Sequence, residues 1–130
     1  MEERITFQSA GLKINGTLHL PPGTRPGERR PAFLVLHGFG SNSSSSNCVL
    51  PCQMLAEWGY AALRFDFRGC GESEGKRANT VCLEQVEDTS AALSFLQTRG
   101  EIDPARIAVV GSSFGAAVAV YTGGVDNRVA

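Results

Sequence analysis

Gly111-Ser112-Ser113-Phe114-Gly115 lies between two apolar runs, Arg106-Ile107-Ala108-Val109-Val110 before it and Ala116-Ala117-Val118-Ala119-Val120 after it. The first run is short, rich in β-branched residues and follows a proline break, so it reads as a buried strand. The second is rich in alanine and suits a helix packed closely on a sheet. A chain that reverses so sharply between strand and helix leaves no room for side chains at the flanking positions, hence Gly111 and Gly115. The central side chain, Ser113, is pushed out at the strand's C-terminal end. Its hydroxyl then faces the first turn of the helix, whose unpaired N–H groups favour developing negative charge. The competing reading is a glycine-rich turn whose serine only caps the helix.

Working outward, the 130 residues make at most one domain, and 42% hydrophobic with 19% charged residues is an ordinary globular composition. A net charge of −1 with scattered basic residues argues against a nucleic-acid or membrane-surface partner. No apolar stretch approaches a membrane span. The polar start, Met1-Glu2-Glu3-Arg4, leads into strand-like alternation, which argues against a signal peptide and makes a cytoplasmic location the expectation. Cys48, Cys52, Cys70 and Cys82 are expected to be reduced thiols, with Cys48 and Cys52 one helical turn apart. Neither their spacing nor any nearby histidine supports a zinc site, so no metal or cofactor is expected.

Residues 4–8 and 12–20 read as two strands of a hairpin at a sheet edge. In the second, Leu12, Ile14, Leu18 and Leu20 form an apolar face, and His19 falls on a face expected to be solvated. Pro21 to Pro31 carries four of the six prolines, two glycines and four charges, and is a surface connection. Ala32-Phe33-Leu34-Val35-Leu36 is apolar throughout, as in a strand covered on both faces, and ends in His37-Gly38-Phe39-Gly40. Gly38 and Gly40 let that loop turn and approach a ligand closely. A helix is expected from about Cys48 to Trp58, capped by Asn47, with Pro51 in its first turn, Gly59 at its end and a core stripe of Leu50, Met54, Leu55 and Trp58. Tyr60 to Phe65 is the next strand and runs into the glycine-rich bend Asp66–Ser73. Leu83, Val86, Leu93 and Leu96 recur at helical spacing between Val81 and Arg99, with Thr80 as N-cap and Gly100 as C-cap. Asp103-Pro104 should break the chain before the last strand. The order gives a mostly parallel α/β sheet with an N-terminal antiparallel hairpin and helices on both faces.

Ser113 is thus a candidate nucleophile. The oxyanion formed by its attack on a carbonyl needs two preorganised donors. The backbone N–H of Phe114 is one, and Phe39, on the loop after a neighbouring strand, can supply the other. Together with the Asp66-Phe67-Arg68-Gly69-Cys70-Gly71-Glu72-Ser73 bend, these stations make the chain resemble the N-terminal part of an α/β-hydrolase over nearly all its length. The texture is similar to small cinnamoyl/feruloyl-type esterases and to serine aminopeptidase-like and dienelactone-hydrolase-like members. The resemblance implies a serine hydrolase acting on an ester or related acyl bond of a small molecule, and it makes the Asp66–Ser73 bend structural.

Such enzymes carry a general-base His and an orienting acid after the Gly111–Gly115 bend, the nucleophile elbow of the family. Here only His19 and His37 occur, both before it, and Val125–Ala130 reads as the start of a further strand. The expectation is an incomplete domain spanning 1–130, with five strands and three helices, marginally folded and inactive alone. Two other readings compete. One is a non-catalytic half-domain that pairs with a partner through an open edge. The other is a dinucleotide fold built on Gly69-x-Gly71-x-x-x-Gly75, against which Glu72 and Glu74 weigh because they would oppose a pyrophosphate.

Overall fold

A computed structural model describes residues 1–76 and 82–130. Five strands, β1 (Glu2–Ser9), β2 (Leu12–His19), β3 (Arg30–Leu36), β4 (Ala61–Phe65) and β5 (Ile102–Gly111), form one sheet in the order β1-β2-β4-β3-β5. β1–β2 and β2–β4 pair antiparallel, whereas β4–β3 and β3–β5 pair parallel. The helices are α1 (Ser46–Glu57), α2 (Cys82–Gln97) and α3 (Phe114–Val125).

Alternation along the strands divides the core. Leu34, Leu36, Leu63 and Phe65 point to the side of α2 and α3, where Val86, Leu93, Leu96 and Val118 meet them. Val35 and Ala62 point the other way, against Cys48 and Cys52 of α1. Helices therefore cover both faces, as a parallel sheet requires. The four cysteines are free thiols, and burial pushes the Cys52 thiol up to about 12, far from a reactive thiolate.

Several local expectations need correction. α1 begins at Ser46, with Ser45 rather than Asn47 as its N-cap, so Pro51 sits in the second turn. Its buried face is Cys48, Cys52 and Ala56, three small residues four apart that let the helix lie close on the sheet. Leu50, Met54 and Trp58 are consequently turned outward and exposed. Met54 and Trp58 line an apolar groove of about 310 Å³ with Phe33, Pro51, Leu55 and Val110 beside the β5 edge. Gly59, at φ 96°, does end the helix. In α2 Leu83 is exposed, and the inner face carries Gln85, Asp88 and Thr89 beside Val86, Leu93 and Leu96. That helix stops at Gln97, so Gly100 is not its cap, while Thr80 and Val81 fall outside the described residues.

The polar face of β2 is wet only at its start, where Lys13 is exposed and Asn15 half-buried. Thr17 and His19 are buried, because α1 packs across β2 and Arg64 of β4 lies against His19. Asp103-Pro104 does not precede β5 but lies within it. Four residues separate Ile102 from Ile107 opposite the single Pro31 of β3, so the break is absorbed as a bulge. Val125 ends α3 instead of opening a strand. Val129 alone bridges in parallel to Ile107, and the Ala130 N–H donates to the Ile107 carbonyl at 2.8 Å.

Candidate active site

The bend between β5 and α3 holds Ser113 at φ 56°, ψ −125°. Among the described residues the only other non-glycine with positive φ is Ala10, in the β1–β2 turn. Such a conformation costs on the order of 1–3 kcal/mol and persists only where its surroundings enforce it. Here they do. A Cβ at Gly111 would lie 2.4 Å from the carbonyl carbon and oxygen of Gly115. A Cβ at Gly115 would lie 2.6 Å from the His37 carbonyl oxygen and 2.7 Å from that of Leu36. Both glycines are thus required by contact, one inside the bend and one where it presses on the end of β3. Ser113 is exposed and its side chain makes no capping hydrogen bond, which removes the capping reading.

Parallel pairing places Leu36 beside Gly111, so the two loops leave the sheet together. A Cβ on Gly38 would come within 3.5 Å of the Ser113 Cβ and 4.0 Å of its Oγ. The Ser41 N–H donates to the Gly38 carbonyl at 3.1 Å, closing a turn in which Gly40 adopts φ 73°. Phe39, 71% exposed, meets Phe114 edge-to-face at 6.0 Å. Ser113, Gly38, Gly40, Phe39, Phe114, Gly111 and Gly115 therefore form one patch at the C-terminal ends of β3 and β5.

Neither histidine belongs to it as a base. The His37 Nδ1–H donates to the Gly38 carbonyl at 2.8 Å, and Nε2 accepts from the Phe67 N–H at 3.1 Å. Both ring nitrogens are engaged, and burial holds the imidazole below the usual histidine range. His19 accepts at Nε2 from Arg64 Nε at 2.9 Å, and burial together with the Arg64 charge depresses it too.

The Asp66–Ser73 bend folds around its own first side chain. Asp66 Oδ1 accepts from the Ser43 N–H at 2.7 Å and Oδ2 from the Glu72 N–H at 3.0 Å, while Ser73 Oγ donates to the Asp66 carbonyl at 2.6 Å. A Cβ on Gly71 would fall 2.4 Å from the Asp66 carboxylate, so Gly71 admits that group and nothing larger. With a carboxylate filling the loop, a pyrophosphate has no seat. Among the described residues no cluster of His, Cys, Asp and Glu could hold a metal ion, and no helix is long and apolar enough to cross a membrane.

Residues 27–128 match the family profile Hydrolase_4, described as serine aminopeptidase, S33. The chain belongs to this α/β-hydrolase family. Thiohydrolase apmlB of Arthrinium phaeospermum is 43% identical to the S33-family chain over 131 residues, 99% of this chain and 41% of that protein. The crystal structure of hypothetical protein PA2218 from Pseudomonas aeruginosa superposes with a TM-score of 0.90 at 33% identity, covering 99% of this chain and 40% of that one. Acetyl xylan esterase from Paenibacillus sp. R4 follows at a TM-score of 0.81 and 31% identity, over 98% of this chain and 46% of that one. The S33-family chain spans about 40% of the length of the curated relatives it matches.

Both histidine shifts have one consequence for stability. A folded-state value below the unfolded one means the unfolded chain takes up protons first. Stability present above the unfolded histidine value of about 6.5 is then lost as pH falls through it toward the folded values. Urea midpoints of the S33-family chain should drop between pH 7 and pH 5, and His37→Gln should flatten the drop. A midpoint that rises over that interval contradicts the assignment.

Proposed function

We propose that this chain carries the nucleophile and oxyanion hole of a serine hydrolase acting on an ester or thioester of a small molecule. The observation that carries the reading is the exposed, uncapped Ser113 in a strained bend, with Gly38 facing it across a gap that one methyl would fill and Phe39 packed on Phe114. In this scheme Ser113 Oγ attacks the acyl carbon and forms a C–O bond, while its proton passes to a base. The carbonyl π electrons move onto oxygen, which accepts from the Phe39 and Phe114 N–H groups. The Phe114 amide lies in the first turn of α3 and so has no partner within the helix. Collapse breaks the C–O or C–S bond, the leaving alcohol or thiol takes the proton from the base, and water then repeats the sequence to free the acid.

His19 and His37 are both committed elsewhere, so the base and its acid partner are assigned to polypeptide outside residues 1–130, and the domain described here is a part of the catalytic one. That the chain spans only about 40% of the length of its curated relatives supports this assignment. The similarity to a thiohydrolase and to an acetyl xylan esterase supports acyl transfer to water.

The test joins residues 1–130 to the C-terminal remainder of thiohydrolase apmlB, the two being 43% identical over the replaced segment. The chimera should hydrolyse p-nitrophenyl acetate or an acyl-cysteamine thioester, and the 130-residue chain alone should hydrolyse neither. A folded chimera inert toward both substrates refutes the function. Turnover by the chain alone refutes the placement of the base.

A further inference from the structure

The loop joining β3 to α1 presents the Phe39 amide at one end and caps α1 with Ser45 at the other. Between them Ser43 is buried, and both of its peptide groups are taken by side chains from the end of β4. The Ser43 N–H donates to Asp66 Oδ1 at 2.7 Å, and the Ser43 carbonyl accepts from Arg64 Nη1 at 3.0 Å. These are charge-assisted bonds in a buried setting, where hydrogen bonds are strong and a missing partner is costly.

Both gripping side chains are themselves fixed. Arg64 Nε donates to His19 Nε2 at 2.9 Å, and its Nη2 lies 3.5 Å from Glu2 Oε1. Asp66 holds the Glu72 N–H with its second oxygen, its own N–H donates to the Asn15 carbonyl at 2.9 Å, and its carbonyl accepts from Ser73. The loop is thereby registered against β2 and β4 through two side chains, while Gly38, five residues before Ser43, faces Ser113 with room for only a methyl between them.

We propose that Arg64 and Asp66 are positioning residues that clamp the β3–α1 loop at Ser43 and so fix where the Phe39 N–H points. This rests on the acyl-transfer reading for its purpose, but its test needs no turnover. Backbone ¹⁵N relaxation and amide exchange of the 130-residue chain are compared with those of Arg64→Met, Arg64→Lys and Asp66→Asn.

In Arg64→Met the Ser41 and Ser43 amides should exchange about tenfold faster or more, and the Phe39 order parameter should fall from roughly 0.85 toward 0.6. α2 and the β1–β2 ladder away from Glu2 and His19 should stay unchanged, and Arg64→Lys, which keeps a donor, should recover most of the order. Asp66→Asn is isosteric and reads the other half of the clamp should the methionine variant not fold. One carboxylate oxygen becomes NH₂, so either the Ser43 or the Glu72 amide loses its acceptor and must exchange faster. An unchanged Phe39 in Arg64→Met, unchanged Ser43 and Glu72 amides in Asp66→Asn, or loosening of the whole sheet in proportion would each overturn the clamp. Failure of the chimera to hydrolyse esters would leave these readouts untouched, so the two ideas can fail separately.

Discussion

Ser113→Ala should lower ester or thioester hydrolysis by the chimera by about 10⁴-fold or more, the usual scale for loss of an activated nucleophile. The same substitution should leave stability within roughly 0.5 kcal/mol, because the Ser113 side chain makes no capping bond and alanine meets the same backbone strain. Ser113→Gly should be as inactive yet more stable by about 1 kcal/mol, since glycine adopts positive φ without penalty. A capping serine predicts instead that both substitutions destabilise. Alanine would then cost about 1 kcal/mol and glycine only a few tenths. Urea denaturation of the three 130-residue chains and initial rates of the three chimeras separate these cases. Residual turnover within tenfold of the serine form sinks the nucleophile assignment, whatever the stabilities show.

How far the chain could be read beforehand depended on whether a feature was local. Gly111 and Gly115 could be assigned because a strand-to-helix reversal excludes Cβ atoms wherever it occurs, and contacts of 2.4 and 2.6 Å now show why. The sheet followed from apolar runs such as Ala32–Leu36 meeting turn residues. What periodicity misjudged was which face wins. In α1 the larger apolar stripe, Leu50, Met54 and Trp58, lost to Cys48, Cys52 and Ala56, because close approach to a flat sheet favours small residues. His19 was misread for a related reason. Its strand alternates cleanly, but a helix and an arginine from distant sequence cover the polar side. The Arg64–Ser43–Asp66 clamp had no signal in spacing at all, since its parts lie about twenty residues apart and meet only across β3 and β4. Asp88 did leave a trace. An acid between Val86 and Thr89, on the face that also carries Leu93 and Leu96, requires a buried cationic partner.

That partner sets the second large effect, an expected loss of about 3–5 kcal/mol in Asp88→Ala. Asp88 is fully buried. Its Oδ2 accepts from the Arg68 backbone N–H at 2.8 Å. Its Oδ1 accepts from Arg68 Nε at 3.0 Å, Arg68 Nη2 at 2.8 Å and Ser9 Oγ at 2.7 Å. Glu87 also pairs with Arg68, but from the more exposed side. Truncating Asp88 takes an acceptor from the mostly buried Arg68 guanidinium, from the Arg68 N–H and from the Ser9 hydroxyl at once. Arg68→Met combined with Asp88→Leu should cost less than Asp88→Ala alone, because no charge is then abandoned. It should not be neutral, because the Arg68 N–H still loses its acceptor. Equilibrium urea unfolding of the three chains gives the order. If Asp88→Ala costs under 1 kcal/mol, or the double variant is the worse of the two, Asp88 is not what joins α2 to the Asp66–Ser73 bend and β1.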